Sequence, residues 1–198
     1  MRTLHILFAG LVLSAVTTAT AQDKGITGSS FGIKGGLNYS TITKGDFNEG
    51  PDPRTSFHLG FVGEIPVVRN VFAIQPEVLY SRQGFEINQT VLGTNYKTEY
   101  KLDYINVPVL AKIYLGKAIS IEAGPQFGLK IGEKYENDDS AVETNDVNDF
   151  DTALAAGLSF NFTGGLFLSG RFTQSLNEVV KDSGSKNQVF QAGIGIKF

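Results

Sequence analysis

Residues 101–132 read KLDYINVPVLAKIYLGKAISIEAGPQFGLKIG, two runs of period-two alternation with almost nothing between them. In the first, Ile105, Val107, Val109, Ala111, Ile113 and Leu115 share one face. Tyr104, Asn106, Pro108, Leu110, Lys112 and Tyr114 share the other. In the second, Ile119, Ile121, Ala123, Phe127, Leu129 and Ile131 alternate with Ser120, Glu122, Gly124, Gln126, Gly128 and Lys130. Side chains that change faces at every residue define half-buried β-strands, and Gly116-Lys117 between the runs predicts a tight hairpin turn. Each run exceeds the roughly 9–11 residues that a tilted strand needs to cross a bilayer.

The same pattern recurs along the chain. Strands are predicted over Ser30–Ile42, Ser56–Ile65, Val71–Ser81, Phe150–Phe162, Leu166–Thr173 and Gln188–Phe198, which with the central pair makes eight. Pro76 inside the third run is a residue that normally demotes a strand to an edge or a bulge. Polar stretches Thr43–Thr55, Arg82–Glu99, Glu133–Asp149 and Gln174–Asn187 predict long loops, although the ends of the second should extend its strands. They alternate with short turns at Pro66–Asn70, Gly116-Lys117 and Thr163–Gly165. Long and short connections in strict alternation predict an all-β fold, an eight-stranded antiparallel up-and-down barrel. Tight turns at one end and long loops at the other are the pattern of transmembrane barrels.

The polar face decides what the barrel encloses. It carries many glycines together with Lys34, Glu64, Glu77, Lys112, Glu122, Lys130, Arg171 and Lys197. A soluble calyx would point its apolar residues inward and set threonine, lysine and glutamate in water. Small residues interleaved with both signs of charge instead suit the narrow interior of eight strands, which has room for side chains alone. Unpaired charge is costly there, so Lys34, Glu64, Glu77, Lys112, Glu122, Lys130 and Arg171 are expected to form a structural network. The apolar face carries no charge within any run, as lipid contact requires. Phe31, Tyr39, Tyr80, Phe150, Phe162 and Phe198 near strand ends suit interfacial girdles.

Residues 1–21 read as a secretory signal peptide: Arg2, an apolar stretch Leu4–Val16 and Ala19-Thr20-Ala21 before Gln22. The barrel domain is then 22–198. Removing Arg2 leaves 16 basic and 20 acidic residues, a net charge of about −4, which argues against nucleic acid as a partner. The chain has no cysteine, so disulfides and cysteine-ligated metals are excluded.

No constellation points to catalysis, a cofactor or a metal. His58, the one histidine beyond the leader, could serve a lipid-modifying enzyme together with a serine and Glu64. Parity places both His58 and Glu64 inside, away from acyl chains, and no serine sits in a nucleophile motif such as G-x-S-x-G. The acidic stretch Glu133–Asp149 lacks the glycine and the late glutamate of a calcium loop and reads as a solvated loop. The expected role is therefore non-enzymatic, structural or protein-interacting. A lipid-modifying enzyme and a small-solute channel are the alternatives.

Six stretches in order resemble the PorT-type outer-membrane β-barrel proteins, within the outer membrane protein beta-barrel domain family of diderm bacteria. They are FGIKGGLNYS (31–40), IQPEVLYSRQG (74–84), DYINVPVLAKIY (103–114), IEAGPQFGLKIG (121–132), FDTALAAGLSF (150–160) and FQAGIGIKF (190–198). The resemblance implies an integral outer-membrane protein with periplasmic termini, in contact with outer-membrane lipids. Its terminal Phe198 is similar to the signal read by the barrel-assembly machinery. A role in a secretion or envelope assembly, with a protein partner engaged through the outer loops, is what the resemblance suggests for function.

Overall fold

The alternating runs pair edge to edge until the sheet has no edge left. In the computed structural model, residues 28–45, 51–91, 94–136, 141–143, 147–180 and 183–198 are described. They form β1 (Ser30–Ile42), β2 (Asp52–Val68), β3 (Phe72–Val91), β4 (Thr94–Tyr114), β5 (Ile119–Glu136), β6 (Ala141–Glu143), β7 (Phe150–Asn161), β8 (Leu166–Ser175) and β9 (Asn187–Lys197). β6 is a three-residue strand that, among the described residues, pairs with the end of β5 alone. The other eight form an antiparallel barrel, closed where β1 meets β9 from Gly32↔Lys197 to Ile42↔Asn187. The leader, residues 1–21, lies outside the described residues.

Pairing also fixes the tilt. Followed once round the wall, paired residues lead from Tyr114 through Ser120, Ser159, Ser169, Gly193, Gly36, His58 and Ser81 to Tyr104, ten residues along β4 from the start. The strands are therefore steeply inclined, and side chains at one height occupy different places in their strands.

Three expectations need correction. The stretch Arg82–Glu99 is not a long loop. β3 and β4 stay paired from Arg82↔Asp103 up to Val91↔Thr94 and project as a hairpin. Nor is Glu133–Asp149 a solvated loop throughout: β5 continues to Glu136, Glu133 is buried, and Val147 packs with Ile42, Phe85, Leu102, Tyr104 and Val179. This apolar cluster caps the lumen at the loop end. Pro76 does not demote β3 either. The register β2 to β3 is the same on both sides of it (Val62↔Glu77, Ile65↔Ile74), and its ring lies against Gly63, which offers no side chain to clash.

The apolar face points outward. Ile33, Leu37, Leu59, Phe61, Leu158, Leu168 and Ile194 are all exposed, while Lys34, Asn38, Gln75, Glu77, Glu122 and Arg171 are buried. Phe167 is the exception that parity identifies but composition does not: it points inward, and Gly195 on β9 makes room for it. A Cβ at Gly195 would sit 2.4 Å from Phe167 Cζ and 2.6 Å from the Ile33 carbonyl oxygen. Gly195→Ala should therefore overpack the lumen and lower stability by about 1–3 kcal/mol in chemical denaturation. Phe167→Leu in the same chain should restore only part of the loss, because the Ile33 carbonyl remains.

Candidate functional site

The lumen holds the chemistry-bearing side chains, and the strands deliver them in layers. At the turn end, Glu64 on β2 accepts hydrogen bonds from Lys197 Nζ at 2.7 Å and from the Tyr114 hydroxyl, and pairs with Lys112 Nζ at 3.2 Å. The Phe167 ring lies 5.8 Å from Lys112 Nζ and 5.3 Å from Lys197 Nζ, within reach of cation–π attraction. Gln75 links this layer to the next. Its Oε1 accepts from Lys112 Nζ at 2.8 Å, and its Nε2 donates to Glu77 at 2.7 Å and to Glu122 at 3.2 Å.

Arg171 on β8 is the centre of the second layer. Its guanidinium donates to both oxygens of Glu77 at 2.7 and 2.8 Å, and to Glu122 Oε1 at 2.6 and 3.0 Å. Lys34 Nζ stands 3.4 Å from Glu77. Lys34, Glu64, Glu77, Lys112, Glu122 and Arg171 are only 1–4% exposed, so the plug is shut to bulk water. A forked, charge-assisted arrangement of this kind fixes geometry as well as charge.

Lys130 does not join these six. It pairs with Glu133 at 2.6 Å and Asp149 at 3.3 Å, and donates to the Val147 carbonyl at 2.5 Å, at the loop end. Gln75, Tyr114 and Lys197 complete the network, and the inward parity of their strands was the available signal. His58 and Glu64 both point inward and do not meet: His58 Nδ1 bonds Asn38 Oδ1 at 2.8 Å, while Glu64 is held at the turn end. Among the described residues, no group of three or more histidine and acidic side chains gathers around a metal position.

A family model for the outer membrane protein beta-barrel domain matches residues 20–181. The chain belongs to that family. No curated protein matches the sequence. Among solved structures it is similar to Ail, the attachment invasion locus protein of Yersinia pestis, at 17% identity and a TM-score of 0.55, covering 87% of this chain and 100% of that one. It is also similar to Neisserial surface protein A, at 14% identity and a TM-score of 0.59, covering 86% of this chain and 99% of that one. At such identities the likeness is one of fold.

Membership of an outer membrane barrel family gives the exposed wall its meaning: the apolar belt is the lipid contact. Aromatic rings gather near both of its borders. Phe31 packs on Phe61 (5.5 Å between centroids) and Phe198 (6.0 Å) at the turn end, and Phe57 packs on Tyr80 (5.8 Å) toward the loops. Phe198 also exchanges backbone hydrogen bonds with Phe31 at 2.8 and 3.2 Å, so the last residue takes part in closing the barrel.

Proposed function

We propose that this outer-membrane barrel is a non-enzymatic interaction module, closed to solutes, that works through its loop end. The observation that carries the reading is the shut lumen, in which Arg171, Glu77, Glu122 and Lys112 fill the interior at 1–3% exposure. A path for ions or sugars would need a continuous hydrated route past them. The projecting β3–β4 hairpin and the neighbouring end of β5 offer the most extended surface for a partner.

Cellular placement follows from chemistry. Residues 1–21 serve as the cleaved leader. An even number of strands then leaves both termini on the periplasmic side, with the tight turns there and the loops outside. Within the family, a PorT-type protein of a diderm bacterium, working in a secretion or envelope assembly, is the finer reading we favour. It rests on the six ordered stretches. Outer-membrane lipids on the wall, and the barrel-assembly machinery at Phe198 during insertion, are the further partners.

One experiment addresses the reading as a whole. The protein, tagged between Val91 and Thr94 where β3 ends and β4 begins, is extracted from outer membranes in mild detergent, and part of the same preparation is recorded in planar bilayers. The expected result is a stoichiometric protein partner, weakened when Asp138 and Asp139 are both replaced by serine, and no steady conductance. A barrel that comes out alone and conducts selectively would overturn it in favour of a channel.

A further inference from the structure

Two closures divide the lumen, and the space between them is polar. On one side is the ion-paired plug around Arg171. On the other is the apolar cap, in which Val147 and Val179 are 1–2% exposed and cluster with Ile42, Phe85, Leu102 and Tyr104. Between the two, Gly128 faces the lumen without a side chain. A Cβ there would stand 2.8 Å from Asn106 Oδ1, 3.3 Å from Asp151 Cβ and 3.5 Å from Tyr104 Cδ1, so these three residues surround one small space. Asn106 Nδ2, Asp151 Oδ1 and the Tyr104 hydroxyl are buried and find no hydrogen-bond partner among the described residues. The same holds for Gln126 Oε1 and Thr173 Oγ1, which follow the plug residues Glu122 and Arg171 along β5 and β8. Asp151 Oδ2 accepts from Ser175 Oγ at 2.8 Å, and no lysine or arginine pairs with Asp151 among the described residues. Buried polar atoms that protein groups leave unmatched are satisfied by water. The lumen therefore has a wet chamber between the plug and a dry cap.

The cap is fastened differently from the wall. Residues 147–149 lead into β7 and residues 176–180 lead out of β8, and neither stretch lies in a ladder of the barrel. They are joined to each other by the isolated bridge Val147↔Val180. The Asn148 N–H also donates to the Val179 carbonyl at 2.8 Å, and Asn148 Nδ2 to the Glu178 carbonyl at 2.9 Å. At their base, Asn177 Oδ1 accepts from the Thr152 N–H at 2.7 Å, and its Nδ2 donates to the Phe150 carbonyl at 3.0 Å. Lys130 on β5 holds the unit down. Its Nζ donates to the Val147 carbonyl at 2.5 Å and stands 3.3 Å from Asp149, and its N–H donates to the Asp149 carbonyl at 2.8 Å. Toward the other side of the mouth the unit meets Ile42 on β1, Phe85 on β3 and Leu102 on β4 through apolar contact. Single bonds at a base and non-directional contact at a tip characterise segments that open without unfolding the rest.

Opposed preferences act on this unit. Closed, it buries Val147 and Val179 but shuts a carboxylate away from bulk water. Open, it hydrates Asp151 and exposes the valines. We propose that residues 147–149 and 176–180 form a lid, latched by Lys130, that opens the chamber to water and small polar solutes from the loop end while the plug stays closed. The barrel then presents a dead-ended cup, and conduction remains blocked by Arg171 and its partners. The proposal requires no protein partner, so it stands or falls separately from the interaction role.

The chain has no cysteine, so each introduced thiol reports on one place. Protein carrying Thr173→Cys is purified from outer membranes in mild detergent and treated with the cationic thiol reagent 2-(trimethylammonium)ethyl methanethiosulfonate. Labelling at residue 173 is followed by peptide mapping, and folding by heat-modifiable gel mobility. The folded protein should label. Adding Lys130→Met should speed labelling about tenfold, and adding Val147→Cys with Val180→Cys, oxidised to a disulfide across their bridge, should slow it about tenfold. Ser159→Cys, placed where Ser159 Oγ lies 3.4 Å from Glu122 in the plug, should resist the reagent with or without Lys130→Met. A thiol at 173 that stays inert in the Lys130→Met chain, or labels equally fast with the disulfide in place, would overturn the lid. Equal labelling at 159 and 173 would overturn it too, by showing that the whole barrel opens.

Discussion

Arg171→Met should cost the folded barrel about 3–5 kcal/mol, the loss expected when one partner of a buried ion pair is removed. The magnitude comes from what is left behind. Glu77 and Glu122 would keep their places in a lumen that excludes water, with Lys34 at 3.4 Å as the nearest remaining cation for Glu77. Arg171→Lys should recover little of this, because a single ammonium cannot reproduce a fork that reaches both oxygens of Glu77 and one of Glu122. The chain with Arg171→Met and Glu122→Gln together should be closer to the parent than Arg171→Met alone, because Glu77 then keeps Lys34 as its counter-charge. Equilibrium unfolding in guanidinium from lipid vesicles measures all three. A loss below about 1 kcal/mol for Arg171→Met would show that the plug is screened by water and is not a sealed network.

The plug also shows where reading the sequence succeeds and where it stops. Parity is written in the chain. Lys34, Glu77, Glu122 and Arg171 were each placed on the inward face by alternation, because the contrast with Ile33, Val78, Ile121 and Phe172 is sharp. Height is not written there. It depends on register and tilt, which only pairing supplies. Lys130 has the same parity as Glu122, yet it stands opposite Tyr104 while Glu122 stands opposite Lys112, and so it belongs to a different level of the lumen. The strand ends were obscure for a related reason. Beyond the lipid belt no apolar outer face is required, so the alternation fades over Arg82–Glu99 although the backbone pairing continues. Val147 and the pair Val179-Val180 stand in polar stretches without alternation, and nothing local announces that they cap the barrel.

Ile194→Arg should destabilise the protein by about 2–4 kcal/mol in vesicles, whereas Phe150→Arg should cost no more than about 1 kcal/mol. Both side chains are exposed on the outer wall, at 53% and 55%, so burial within the chain does not distinguish them. Depth does. Ile194 lies in the central part of β9, opposite Gly35 on β1 and Leu168 on β8, in the middle of the apolar belt. Phe150 begins β7 at the loop end, opposite Leu129, where its ring packs near Phe127 in the aromatic border. A cation at Ile194 must be brought into hydrocarbon or drag water to it, while one at residue 150 reaches the headgroups by extending its chain. A wall facing water would accept arginine equally well at either position. Equal small losses for the two variants would therefore contradict a lipid-facing wall, and a graded loss would trace the belt's depth along the strands.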